Sequence, residues 1–140
     1  MRYIVSLFLI SITFLISGCA TKKKSGPSKL KKAYHNTTAY YNGYFNADLL
    51  IDEIILALES QTKDNYNKVL DIYKYTSATN PQAVYPQLDK AIQKLTVAVH
   101  LHRVSHWTDD CYLAIGQSQF LKQDYESAEE TLEYFIQEFN

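Results

Sequence analysis

The chain has 140 residues, a formal net charge of −1, 46% hydrophobic residues, and 12 Tyr against 4 Gly and 3 Pro. That length suits one small domain, and the scarcity of turn formers argues against a meandering sheet and for helices. The charge is divided: Lys22, Lys23, Lys24, Lys29, Lys31 and Lys32 form a basic block, while from Ala33 onward seven basic residues face fifteen acidic ones, net −8, which excludes nucleic acid as a partner of the body.

Arg2 and the apolar run Ile4 to Ile16 open the chain. Thirteen helical residues span about 20 Å at roughly 1.5 Å each, short of the about 20 apolar residues a membrane-spanning helix needs. The run therefore reads as a cleavable signal core. Leu15-Ile16-Ser17-Gly18-Cys19 follows, and resembles the bacterial lipobox, with Ile16 where Leu is commoner. The small residues let the backbone enter a peptidase cleft, and the Cys19 thiol is the atom that takes the diacylglyceryl group. The expectation is a signal peptide over 1–18 and a lipidated, basic tether over 19–32. One chain binds a membrane only marginally, so the several acyl chains implied by the lipobox make the attachment stable. Ala20 after the Cys, with no Asp and no acidic export signal beside it, points to the periplasmic face of the outer membrane. Ser25-Gly26-Pro27-Ser28 reads as a flexible linker.

From residue 33 to 140 the pattern predicts an all-α body of antiparallel helical hairpins, stacked as a solenoid of the tetratricopeptide kind. Tyr34, Tyr41, Phe45 and Leu49 share one helical face, and Ile51, Ile54, Ile55 and Leu58 continue the apolar pattern. Gly43 weakens that stretch by roughly 1 kcal/mol relative to Ala, so one long helix or two with a break there are both open. After the polar turn Thr62-Lys63-Asp64-Asn65 a second helix is expected, carrying Tyr66, Val69, Leu70 and Tyr73. Ser77 to Pro81 reads as a loop. Pro86 suits a first helical turn, followed by Leu88, Ile92, Leu95, Val99 and His102 at helical spacing. Ser105 to Thr108 is a break, with Thr108 expected to cap the next helix and Asp109 and Asp110 suiting its positive end. Cys111 falls in a helix as a small buried hydrophobe.

The last segment matches the loose tetratricopeptide signature. Tyr112, Ile115 and Gly116 fit its opening, and Ala128 and Leu132 fit the second helix, with Asp124-Tyr125-Glu126 as turn and helix start. Gly116 and Ala128 would let the two helices approach while Tyr112, Ile115, Tyr125 and Leu132 fill the groove. Gln119 and Asn140 depart from the signature's Tyr and Pro. Asn65-Tyr66-Asn67-Lys68-Val69 echoes Asp124 to Ala128 and predicts an earlier repeat, pairing a helix near Ile54 with one near Val69. No capping helix follows Leu132, Phe135, Ile136 and Phe139, so the reading is of the N-terminal piece of a longer repeat protein or of a truncated gene.

Tyr34-His35-Asn36-Thr37-Thr38-Ala39-Tyr40-Tyr41-Asn42-Gly43-Tyr44-Phe45-Asn46-Ala47, Asp64 to Tyr73 and Trp107 to Leu113 carry a resemblance over essentially the whole chain. It is similar to the tetratricopeptide lipoproteins of gliding motility and type IX secretion in Bacteroidota, the SprE/PorW type. The resemblance implies an outer-membrane, periplasm-facing scaffold that binds secretion ring or motor components and the outer-membrane translocon. Tyr40, Tyr44, Asp109 and Asp110 are the candidate partner-binding residues. Two other readings compete: a repeat lipoprotein assisting outer-membrane protein assembly, and a glycan binder stacking sugars on the Tyr cluster. Enzyme chemistry has no assembled set to rest on. His102 and His106 have zinc-like spacing, but the expected helix end near His102–Ser105 spoils the geometry, so neither metal nor cofactor is expected.

Overall fold

The computed structural model describes residues 26–139; the segment expected to be a signal peptide, and Cys19, lie outside them. Five α-helices run over α1 (Lys29–Thr38), α2 (Phe45–Glu59), α3 (Tyr85–Leu101), α4 (Thr108–Leu121) and α5 (Tyr125–Phe139). Among the described residues there is no strand, and no helix is long and apolar enough to cross a membrane. The fold is all-α: α2, α3, α4 and α5 pack each on the next in chain order.

The first helix begins at Lys29, four residues before the body was expected to start. Ser28 caps it, its hydroxyl accepting from Lys31 N at 3.3 Å. Gly43 does not break the helix. Ala39–Tyr44 forms a π-helical turn that joins α1 to α2, with Phe45 N–H donating to Tyr40 O, five residues back. The Asn46 side-chain amide donates to Tyr41 O at 2.6 Å. The face turned inward is one of small residues followed by aliphatic ones: Ala39, Gly43 and Ala47, then Ile51, Ile54 and Leu58. A Cβ at Gly43 would collide with the Cβ of Ala98 on α3, so this glycine lets the π turn lie close against α3. The core continues through Leu88, Ala91 and Leu95 of α3 and Cys111, Ala114 and Ile115 of α4.

The expected helix over Tyr66 to Tyr73 is not formed. Residues 62–73 are an irregular loop; Val69 is 99% and Ile72 91% exposed, and Lys74–Ser77 closes it as a 3-10 turn. Asn65 explains the failure locally. Its carboxamide accepts from Asn67 N and its carbonyl from Lys68 N, a turn that competes with helix propagation. The loop is instead tied at its base by Thr62 Oγ1 donating to Lys74 O, by the Lys74–Asp64 ion pair and by Asn80 N donating to Gln61 Oε1. The predicted earlier repeat falls with that helix, because α2 packs on α3 and not on a helix near Val69.

Pro86 lies in the first turn of α3, as its lack of an N–H favours. Thr108 is not the cap of α4. It is the first helical residue, and its hydroxyl donates back to Ser105 O at 2.9 Å, bracing the α3–α4 loop. Asp109 and Asp110 occupy the first turn of α4.

The α4–α5 hairpin is the most regular part. Gln123 N–H bonds Phe120 O and Asp124 N–H bonds Gln119 O, ending α4 in a Schellman motif with Gln123 at φ 64°. Asp124 then caps α5 by accepting from Ser127 N. Ile115, Gly116 and Ala128 are buried, and the Gly116 backbone faces the Leu132 side chain. Tyr112 meets Tyr134 across the pair, ring centroids 4.9 Å apart. Tyr125 departs from expectation: it is 57% exposed and sits edge-on to Phe120 of α4 instead of filling the groove. Gln119, at the signature's Tyr position, has a buried Oε1 with no hydrogen-bond partner among the described residues.

Candidate docking surface

With its small and aliphatic face turned inward, the α1–α2 rod presents its larger apolar residues to solvent. Tyr34, Tyr41, Phe45, Leu49 and Leu56 are all exposed. Their separations of seven, four, four and seven residues keep them in one row along the helix. Tyr41, Phe45 and Leu49 share a face as the sequence predicted, but it is the outer one; Tyr34, though exposed, borders α3 and sits edge-on to His102. The row is bordered by acid: α2 carries Asp48, Asp52, Glu53 and Glu59 and no basic residue.

At the π turn the surface meets the α3–α4 loop. Tyr40 and Tyr44 both pack on Trp107, at ring-centroid distances of 4.5 and 5.2 Å, and His106 also lies against the indole, at 4.6 Å. Tyr40 also touches Tyr41 and Phe45, joining this cluster to the outer row. Asp110 and Asp48 both lie near Tyr44; burial and then the two carboxylates hold its phenol above the usual value. Burial raises the Asp110 carboxyl, with Asp109 adding and His106 opposing. Burial likewise raises Asp48, with Asp52 adding. Neither ion pair among the described residues involves these four carboxylates.

The structure thus brings Tyr40, Tyr44, Asp109 and Asp110 into one neighbourhood. Trp107, which ties them together, is the residue that periodicity missed. Its one signal was a large aromatic in a segment otherwise read as a break. Beneath it Cys111 is buried, its thiol pushed up to about 12 by desolvation, with Asp110 and Asp109 adding. So high a value leaves it inert as a nucleophile at neutral pH.

On the opposite side of the loop, α3, α4 and α5 enclose a groove of about 430 Å³ lined by Val99, Arg103, Tyr112, Tyr134, Glu138 and Phe139. Ile136 and Phe139 of α5 are exposed at and beyond its edge. α3 ends at Leu101, so His102 and His106 do not share a helix. Among the described residues, no three His, Cys, Asp or Glu side chains converge to hold a metal ion. Comparison of the chain with protein-family models, with curated proteins and with solved structures gives no match.

Proposed function

We propose that the protein is a lipid-anchored scaffold on the periplasmic face of the outer membrane, and that its helical body holds other proteins. The observation that carries this reading is the outer row Tyr41, Phe45, Leu49 and Leu56, exposed apolar residues interleaved with acid that makes no ion pair among the described residues. Exposed apolar patches of this kind, rimmed by charge, mark protein-binding sites. The acid selects a partner presenting Lys or Arg, so association should weaken with salt as screening shortens to about 8 Å near physiological strength. The stacking of α2 to α5 is compatible with a tetratricopeptide-like solenoid, and the α4–α5 hairpin supports it with Gly116, Ala128 and the Schellman turn.

The resemblance to the SprE/PorW type nominates ring, motor and translocon components of type IX secretion and gliding as those proteins. The test is cross-linking and affinity capture from cells producing the protein from its own locus, with secretion scored in a deletion strain. Leu49→Asp with Leu56→Asp should abolish capture without altering the circular dichroism of the body, since both side chains are exposed. Recovery of outer-membrane assembly factors, with secretion intact, would replace this assignment by the assembly adaptor.

Anchoring is tested separately. Cys19→Ser is expected to leave an uncleaved precursor or release the protein from the membrane fraction. A variant that fractionates and migrates like the parent would remove the lipoprotein reading.

A further inference from the structure

α1 has no buried residue, and outside the π turn that continues it, little of the body touches it. What holds it down is a short row of polar contacts to the α3–α4 loop. His35 Nδ1 lies 2.9 Å from His102 Nδ1, a hydrogen bond between two imidazoles. One residue on, the Asn36 carboxamide oxygen accepts from His106 N at 3.1 Å. Tyr34 sets its ring edge-on to both histidines. His102 itself is buried at the end of α3, where its carbonyl accepts from Ser105 N and from the Thr108 hydroxyl, so the ring sits on a braced loop.

We propose that the His35–His102 pair is an acid-sensitive latch that holds α1 on the α3–α4 loop and releases it when both rings are protonated. The contact dictates the chemistry. With both rings neutral, one Nδ1–H donates to the lone pair of the other. With one proton added, an imidazolium donates to a neutral ring and the bond is charge-assisted. With two, both Nδ1 atoms carry hydrogen, no acceptor remains, and two cations face each other in a partly buried site.

The surroundings set the direction. Burial, and then His35, hold His102 below its ordinary 6.5. A depressed histidine contributes stability that is present above the ordinary value and lost as pH falls through the lowered one. The other titratable groups about the pair are Lys31 and Lys32, one turn before His35 on α1, Tyr34 beside it, Lys94 on α3, which lines the same cleft of about 210 Å³, and Arg103 and His106 on the loop. No carboxylate contributes to the shift of His102, so nothing there offsets a second positive charge. Because the core runs through α2 to α5, releasing α1 leaves the body folded.

Hydrogen exchange of the full chain in detergent, corrected for intrinsic rates, tests this without any partner. Between about pH 7.5 and about pH 4, protection of the α1 amides relative to the α4–α5 hairpin should hold or rise while the pair carries one proton, and then fall about tenfold or more as the second binds. His35→Ala should leave α1 poorly protected at both values, and His106→Ala should keep the step. An α1 whose protection does not change with pH, a step that survives His35→Ala, or a step lost in His106→Ala would each overturn the latch. So would protection of α1 by added zinc chloride at about pH 5, which would make the pair a metal site. Capture of secretion components is a separate readout, and its failure would leave this result standing.

Discussion

Gly43→Leu is expected to destabilise the body by roughly 3 kcal/mol, the upper part of the usual range for overpacking. The melting midpoint should fall by on the order of 10 °C for a domain of this size. The reason is the nature of the neighbour. A Cβ at position 43 meets the Cβ of Ala98, with Lys94 O also near. Neither belongs to a flexible side-chain end, so only movement of α3 against the π turn can make room. Even Gly43→Ala should destabilise, although Ala gains up to roughly 1 kcal/mol of helix propensity over Gly. Thermal melts of the two variants decide the matter, and an Ala variant more stable than the parent would show that the helices separate easily.

That glycine also shows where sequence reading stops. From sequence, Gly43 registers as weakened helix propensity. In the fold it is a point of close packing against Ala98, on an inward face made of Ala39, Gly43 and Ala47. Hydrophobic periodicity gives weight to large residues, and so drew attention to Tyr34, Tyr41, Phe45 and Leu49, which lie outside. Close helix approach instead selects for the absence of side chain. The loop at 62–73 failed for a related reason: Tyr66, Val69, Leu70 and Tyr73 have helical spacing, but periodicity does not see that Asn65 offers its neighbours a competing turn.

Elsewhere the local signals and the packing agree. Pro86, the acid pair at the start of α4 and the turn at Asp124 are each fixed within a few residues, and the core position of Cys111 follows from its place in a helical pattern; all were legible. The candidate surface was legible in half. Tyr40, Tyr44, Asp109 and Asp110 were found from the Tyr cluster and from helix-end charge. Trp107 and the His35–His102 contact, made between segments more than sixty residues apart, depend on tertiary placement that no local pattern encodes.

Gly116 has a different neighbour and should respond differently. A Cβ there would lie 2.7 Å from Leu132 Cδ2 and 2.8 Å from its Cγ. This neighbour is the end of a side chain, which can rotate. Gly116→Leu still forces a second large group between α4 and α5 and should cost about 1–3 kcal/mol. Gly116→Ala, however, sets a small displacement of Leu132 against the helix propensity that Ala gains, and its net effect should lie within about 1 kcal/mol of zero. The decisive measurement is a double-mutant cycle. Leu132→Ala removes the atoms that Gly116 avoids, so in that background Gly116→Ala should stabilise by the full propensity difference, roughly 1 kcal/mol. If the Ala substitution has the same effect with and without Leu132, the two residues do not couple, and the contact that defines the hairpin as repeat-like is not the one holding α4 and α5 together.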